Sequence, residues 1–152
     1  SGFGPKGIVP LRAVLYLPFR ESINSQNGLK AKVDLQDGRL GRVFHSSADQ
    51  RFTPRLPGTA VQTEGALLPC FSEVLSVVKK AHNSLPDYAF LGWDVAICPS
   101  GPVILEANGN FACSSLQKPG PEPLIDEKFL AVFEYWRERG RVDGSMGEGH
   151  KG

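Results

Sequence analysis

The 152 residues hold only three cysteines, no long apolar run and no block of one charge, and each shortage removes a class of protein. Cys70, Cys98 and Cys113 lie 28 and 15 positions apart, form no C-x-x-C pair and stand at no ligand spacing from His45, His82 or His150, which argues against a structural zinc site. An odd count, in a chain whose opening SGFGPKG lacks the charged start and apolar core of an export signal, argues against a disulfide framework. The cysteines are expected as buried small hydrophobes, since a Cys-His nucleophile pair has only the presence of both residue types behind it. Apolar stretches are broken by Pro, Gly or charge well short of the roughly 20 residues that cross a bilayer. Seventeen Lys and Arg against sixteen Asp and Glu leave +1, with no basic stretch to neutralise a run of phosphates. Neither membrane nor nucleic acid is an expected partner, and a cytoplasmic location is expected.

What is present suits one folded domain, with 41% hydrophobic and 22% charged residues supplying a sizeable core. Residues 8–17, IVPLRAVLYL, read as a strand despite Pro10, and the polar PFRESINSQNG reads as a loop. In GLKAKVDL, Leu29, Ala31, Val33 and Leu35 alternate with Lys30, Lys32 and Asp34, giving a strand with one wet face. Asp37-Gly38 then signals a tight turn, so residues 29–44 form an antiparallel hairpin. Residues 45–65 have no sustained period and read as a long surface loop.

Pro69 opens a helix whose Phe71, Val74, Leu75, Val78, Ala81 and Leu85 make one apolar stripe that must lie on a sheet, and Pro86-Asp87 ends it. The strand FLGWDVAI, the turn CPSGP and the strand VILEA follow, then a small-residue loop NGNFACSS. A second helix spans about residues 126–139 with Phe129, Leu130, Val132, Phe133 and Trp136 inward, and residues 140–152 form a Gly-rich tail expected to be flexible. This order predicts an α+β fold over residues 1–139, a mostly antiparallel sheet with two helices packed on one face.

The chemistry concentrates in the second hairpin. With the turn centred on Ser100, facing residues have numbers summing to 200, which sets Asp94 opposite Glu106 and Gly92 opposite Asn108. One face then carries Gly92, Asp94, Ala96, Ile104, Glu106 and Asn108; the other carries Leu91, Trp93, Val95, Ile97, Val103 and Leu105. Opposed carboxylates with Cβ atoms roughly 4.5–5.5 Å apart repel unless a cation lies between them. Two carboxylates and an amide carbonyl are hard oxygen ligands suited to Mg²⁺ or Mn²⁺, and Gly92 leaves room for a ligand. A solvated acidic face that keeps a sheet edge soluble is the plainer alternative.

LGWDVAICPSGPVILEANGN closely resembles the metal-binding hairpin of the ATP-grasp superfamily, in particular its sugar-transfer-associated, hexapeptide-transferase-related branch. The pattern stands as Gly92 to Ala96, Gly101-Pro102 and Glu106-Ala107-Asn108. Similarity continues through Arg20, Asn24 and Gly28, Val33 to Leu40, Pro57-Gly58, Leu68-Pro69 and Leu116-Gln117, covering about residues 12–139. The resemblance implies the C-terminal subdomain of an ATP-grasp unit, with ATP and Mg²⁺ as cofactors and Asp94, Glu106 and Asn108 as metal ligands. It implies transfer of the γ-phosphoryl to a substrate carboxylate and attack on the acyl phosphate by an amine or other nucleophile.

By the same resemblance Leu105 touches adenine, although alternation places it on the apolar face, and Asn24 lies in a nucleotide-binding loop. Several such ligases carry Arg two residues before the metal-binding Asp. Here that position is Gly92, and Arg20 is the candidate for the missing charge, with a surface arginine as the alternative. Ser114 and Ser115 are candidates for cradling substrate, against a plain connecting loop; Lys30 and Lys32 read as ordinary solvated lysines. The earlier subdomain that holds the other side of the nucleotide is expected to be missing from this chain.

Two further readings compete. One is a non-catalytic remnant serving as a binding or self-association module, with a homo-oligomer as its expected form. The other is a metal-dependent hydrolase using the same acid pair to activate water, which lacks a positioned histidine.

Overall fold

In the computed structural model, residues 1–17, 28–45 and 51–145 are described. Among the described residues three antiparallel sheets and three helices make the α+β fold that the order of sequence patterns predicts, with the strands divided among three sheets rather than one. Strands β1 (Gly2–Gly4) and β2 (Gly7–Val9) form a small hairpin around Pro5-Lys6. Strand β3 (Ala13–Leu17) belongs to a different sheet, so the single strand expected over residues 8–17 is two. The break falls at Pro10, which has no N–H for a ladder and lets the chain leave one sheet for the next.

The larger sheet runs β3-β4-β5-β6, with β4 (Leu29–Val33), β5 (Leu40–His45) and a two-residue β6 (Phe52–Thr53), all antiparallel. The β4–β5 hairpin closes where expected: Gly38 N–H donates to Asp34 O at 2.9 Å, and Gly38 sits at φ +77°. Helix α1 (Phe71–Asn83) meets this sheet through its N-terminal part. Its Phe71 joins Val33 and Leu40 in a buried cluster, with Leu15, Leu35, Val74 and Leu75 packed around it, so the first part of the apolar stripe lies on this sheet, while Leu85 falls beyond the helix end and is exposed.

After α1 come β7 (Gly92–Cys98) and β8 (Gly101–Asn108), a separate two-stranded sheet, then a one-turn helix α2 (Cys113–Gln117) where a loop is expected. Helix α3 (Glu127–Ser145) packs on the N-terminal hairpin and runs past Gly140. A Cβ at Gly2 would stand 2.9 Å from Val132 Cγ2, so the absence of a side chain lets helix and hairpin meet. Trp136 Nε1 donates to Phe3 O at 2.7 Å, and Phe129 stacks on Phe90 with centroids 4.5 Å apart. Leu130 and Phe133, expected inward, are instead 48% and 49% exposed, because the hairpin covers only the Val132 side of the helix. Cys70 and Cys113, expected to be buried, are exposed; Cys98 is half-buried. Among the described residues no helix is long and apolar enough to cross a membrane.

Asp126 caps α3, its Oδ1 accepting the Phe129 N–H at 2.9 Å. Asp126→Ala removes the partner of one orphan amide at the helix start and is expected to cost about 1 kcal/mol, read as a lower midpoint in chemical unfolding.

His82, on α1, is fully buried and joins three segments. Its Nδ1 lies 2.7 Å from Ser1 Oγ and its Nε2 2.9 Å from Tyr88 O, while Trp93 Nε1 donates to Ser1 Oγ at 3.0 Å. A carbonyl can only accept, so Nε2 carries the proton and Nδ1 accepts from the serine hydroxyl. Burial lowers the His82 pKa from its ordinary 6.5, opposed by the bond to Tyr88. The folded chain therefore holds fewer protons than the unfolded one in the window between the lowered pKa and 6.5. The associated stability is complete above that window and declines as pH falls through it. Melting temperature should drop as pH is lowered from 7 to 5, with a shallower acid-side slope in His82→Gln.

Candidate metal- and nucleotide-binding hairpin

The ladder between β7 and β8 pairs Gly92 with Asn108, Trp93 with Ala107 and Asp94 with Glu106, as the expected register requires. Beyond the acids it shifts: Val95 opposes Ile104, Ala96 opposes Val103 and Cys98 opposes Gly101. The turn is thus the two residues Pro99-Ser100, with Gly101 at φ +111°, rather than a turn centred on Ser100. Leu105 is the extra residue, a β-bulge unpaired in the ladder.

The bulge corrects the face assignment. Directly opposed residues share a face, so Ile104 moves to the Val95 side and Val103 joins Asp94, Ala96, Glu106 and Asn108. It also removes the conflict over Leu105. A residue outside the ladder escapes strict alternation, and Leu105 is 68% exposed rather than covered on the apolar face.

Asp94 and Glu106 are exposed, and neither side chain makes a hydrogen bond or ion pair with any described residue. Asn108, half-buried, is two residues from Glu106 on the same face. Among the described residues no three His, Cys, Asp or Glu cluster as a ready-made metal site. The donor set is therefore two carboxylates plus an amide oxygen. That set fits a hard divalent cation that keeps several coordination positions for water or phosphate oxygens. The room expected beside Gly92 is taken: a Cβ there would lie 2.6 Å from Phe111 Cβ. Glycine at this position admits an aromatic side chain from the segment leaving β8, and leaves no space for a ligand.

Ser114 and Ser115 lie on α2, the former exposed and the latter half-buried. Ser115 Oγ accepts a hydrogen bond from Lys30 Nζ at 3.2 Å. Lys30 is only 4% exposed, which overturns the wet face read from the alternation of β4. The segment after β8 lies over that face. Besides the Lys30–Ser115 contact, Lys32 pairs with Glu122 at 2.6 Å, and Arg12 Nη2 donates to the carbonyls of Glu122 and Pro123 at 2.9 Å each. Burial, and then the nearby charge of Lys118, lowers the Lys30 pKa. A period of two shows which residues share a face but carries no signal of what covers it.

Asp94, Glu106 and Asn108 are thus brought together on one hairpin face, and Ser115 meets a lysine that the alternation placed in solvent. Arg20 and Asn24 lie outside the described residues. Residues 5–128 match the family described as sugar-transfer associated ATP-grasp. No curated protein and no solved structure matches the chain.

Proposed function

The chain belongs to the sugar-transfer associated ATP-grasp family, and from that membership we propose that it is the Mg²⁺-dependent nucleotide-binding module of a carboxylate–nucleophile ligase. One observation carries the reading: Asp94 faces Glu106 across the β7–β8 ladder, and no cation among the described residues compensates either acid. Like charges placed directly opposite are unfavourable, so the pairing makes sense as half of a site completed by a metal ion.

In this reading Asp94, Glu106 and the Asn108 carbonyl hold the cation. When bound it neutralises phosphate charge as the γ-phosphoryl passes to a carboxylate oxygen. Leu105, freed by its bulge, offers an apolar contact for the adenine, and Asn24 contributes to holding the nucleotide. Arg20 steadies the transferred phosphoryl, for which a guanidinium fork is well matched. Ser114 and Ser115 orient the acid substrate. The activated acid is an acyl phosphate, and an amine or similar nucleophile displaces inorganic phosphate from it. A preceding subdomain bearing lysines would complete the nucleotide cleft.

Calorimetric titration tests the core of this proposal. ATP with Mg²⁺ is expected to give saturable heat that is lost when EDTA replaces the metal. Absence of heat in both conditions would remove nucleotide binding from the reading.

The exposed Leu130 and Phe133, three residues apart on α3, favour a second reading in which the chain is an assembly module. Light scattering should then show a mass above one chain that falls to one in Leu130→Asp/Phe133→Asp. A monomeric wild type would dismiss it.

A further inference from the structure

We infer that the Lys30 ammonium and the Ser115 hydroxyl form an oxyanion subsite, for a phosphoryl or carboxylate group entering from the half-exposed Ser115 side. The contrast with Lys32 carries the idea. Two residues apart on β4, Lys32 meets the Glu122 carboxylate at 2.6 Å, whereas no carboxylate among the described residues pairs with Lys30. Yet Lys30 is the more deeply buried of the two. Its surroundings are a hydroxyl at 3.2 Å and the Tyr16 ring, with its centroid 5.2 Å from Nζ.

An ammonium has three N–H donors, and Ser115 takes one. Keeping a charged group from water without a counter-charge is expensive, and the charged neighbour that acts on Lys30 is another cation, Lys118. A bound oxyanion resolves this, accepting from Nζ while the Ser115 hydroxyl, which already accepts from Lys30, donates its own proton. Ser115 lies seven residues beyond Asn108, on the segment whose Phe111 packs against Gly92, the ladder partner of Asn108. The subsite is therefore built from the chain that continues directly out of the acid hairpin. The nucleotide-ligase reading bears only on which oxyanion is held.

The test uses the full chain in EDTA, so that metal at Asp94 and Glu106 plays no part. Melting temperature is followed against pyrophosphate and, separately, acetate, each compared with chloride at equal ionic strength. Wild type is expected to show a saturable rise with at least one of them. Lys30→Met should need at least about tenfold more anion for the same rise, as loss of a hydrogen bond to a charged group implies. Ser115→Ala should need severalfold more, Lys30→Arg should recover part of the response, and Asp94→Asn should keep all of it. A response to pyrophosphate assigns a phosphoryl group, and a response to acetate assigns the acid substrate. No rise with either anion in wild type, or an undiminished rise in Lys30→Met, would overturn the inference. Where Lys30→Met does not fold, Ser115→Ala carries the same comparison. Loss of Mg-ATP heat with the anion response intact would count against the nucleotide reading and leave the subsite standing.

Discussion

An Asp94→Asn chain is expected to bind Mg-ATP about 100-fold more weakly than wild type, yet to melt at a higher temperature when metal is absent. The two effects share one origin. In the proposed site the Asp94 carboxylate would supply one of two anionic donors on the hairpin face, and an amide in its stead would keep the shape while removing the charge. With no cation, the same carboxylate faces Glu106 with nothing between them, and neutralising it relieves a few tenths of a kcal/mol of cross-strand repulsion. Both groups are exposed, so the gain should be clearest at low ionic strength and fade as salt is added. Glu106→Gln should behave alike, and the double variant should gain little more, because one substitution already ends the repulsion. Calorimetry and thermal unfolding on the same samples decide it. Unaltered Mg-ATP heat would place the metal elsewhere, and a lower apo melting temperature would mean that Asp94 is already satisfied.

Gly38→Ala should destabilise the chain by about 3 kcal/mol, the sum of two separable causes. At φ +77° an L side chain is strained by about 1 kcal/mol. The new methyl would also lie 2.9 Å from Cβ, Cγ and Cδ1 of Phe71, the residue that fixes the start of α1 in the core. Neither partner yields easily. The Gly38 N–H is held by Asp34 O, its carbonyl accepts the Leu68 N–H at 2.9 Å, and Phe71 is buried against Val33 and Leu40. Gly65→Ala is the control. It has a similar φ of +83° but open space where the Cβ would go, so it should lose only the backbone part, about 1 kcal/mol. Denaturant midpoints for the two variants give the difference, and equal losses would mean that the Phe71 contact relaxes at no cost.

Local patterns carried most of the fold. The Asp37-Gly38 turn, the first part of the α1 stripe and the facing of Asp94 and Glu106 all follow from signals close in sequence, and the structure has all three. The departures share a different character. Pro10 marks a change of sheet, which depends on where the second sheet lies. The Leu105 bulge shifts the ladder by one residue, and nothing in VILEA announces it because every residue there is compatible with a regular strand. Lys30 looked solvated because alternation describes the strand and not the distant segment, 85 residues on, that closes over it. Leu130 and Phe133 fit the inward period of α3 equally well, but the narrow β1–β2 hairpin opposite leaves them uncovered. His82, without a metal-ligand spacing in the sequence, owes its place to partners on three segments.

The bulge at Leu105 has an evolutionary corollary. Deleting that residue on paper gives an unbroken ladder in which Asp94 still opposes Glu106, so the hairpin has no need of it for its own integrity. A position that strand pairing does not require is free to be selected for whatever it touches. The Pro99-Ser100 tip can likewise lengthen while the Cys98–Gly101 pair that closes it, and with it the facing of the acids, is kept. Descendants of this hairpin can therefore diverge in their apolar contact and in tip length while inheriting the same pair of acids.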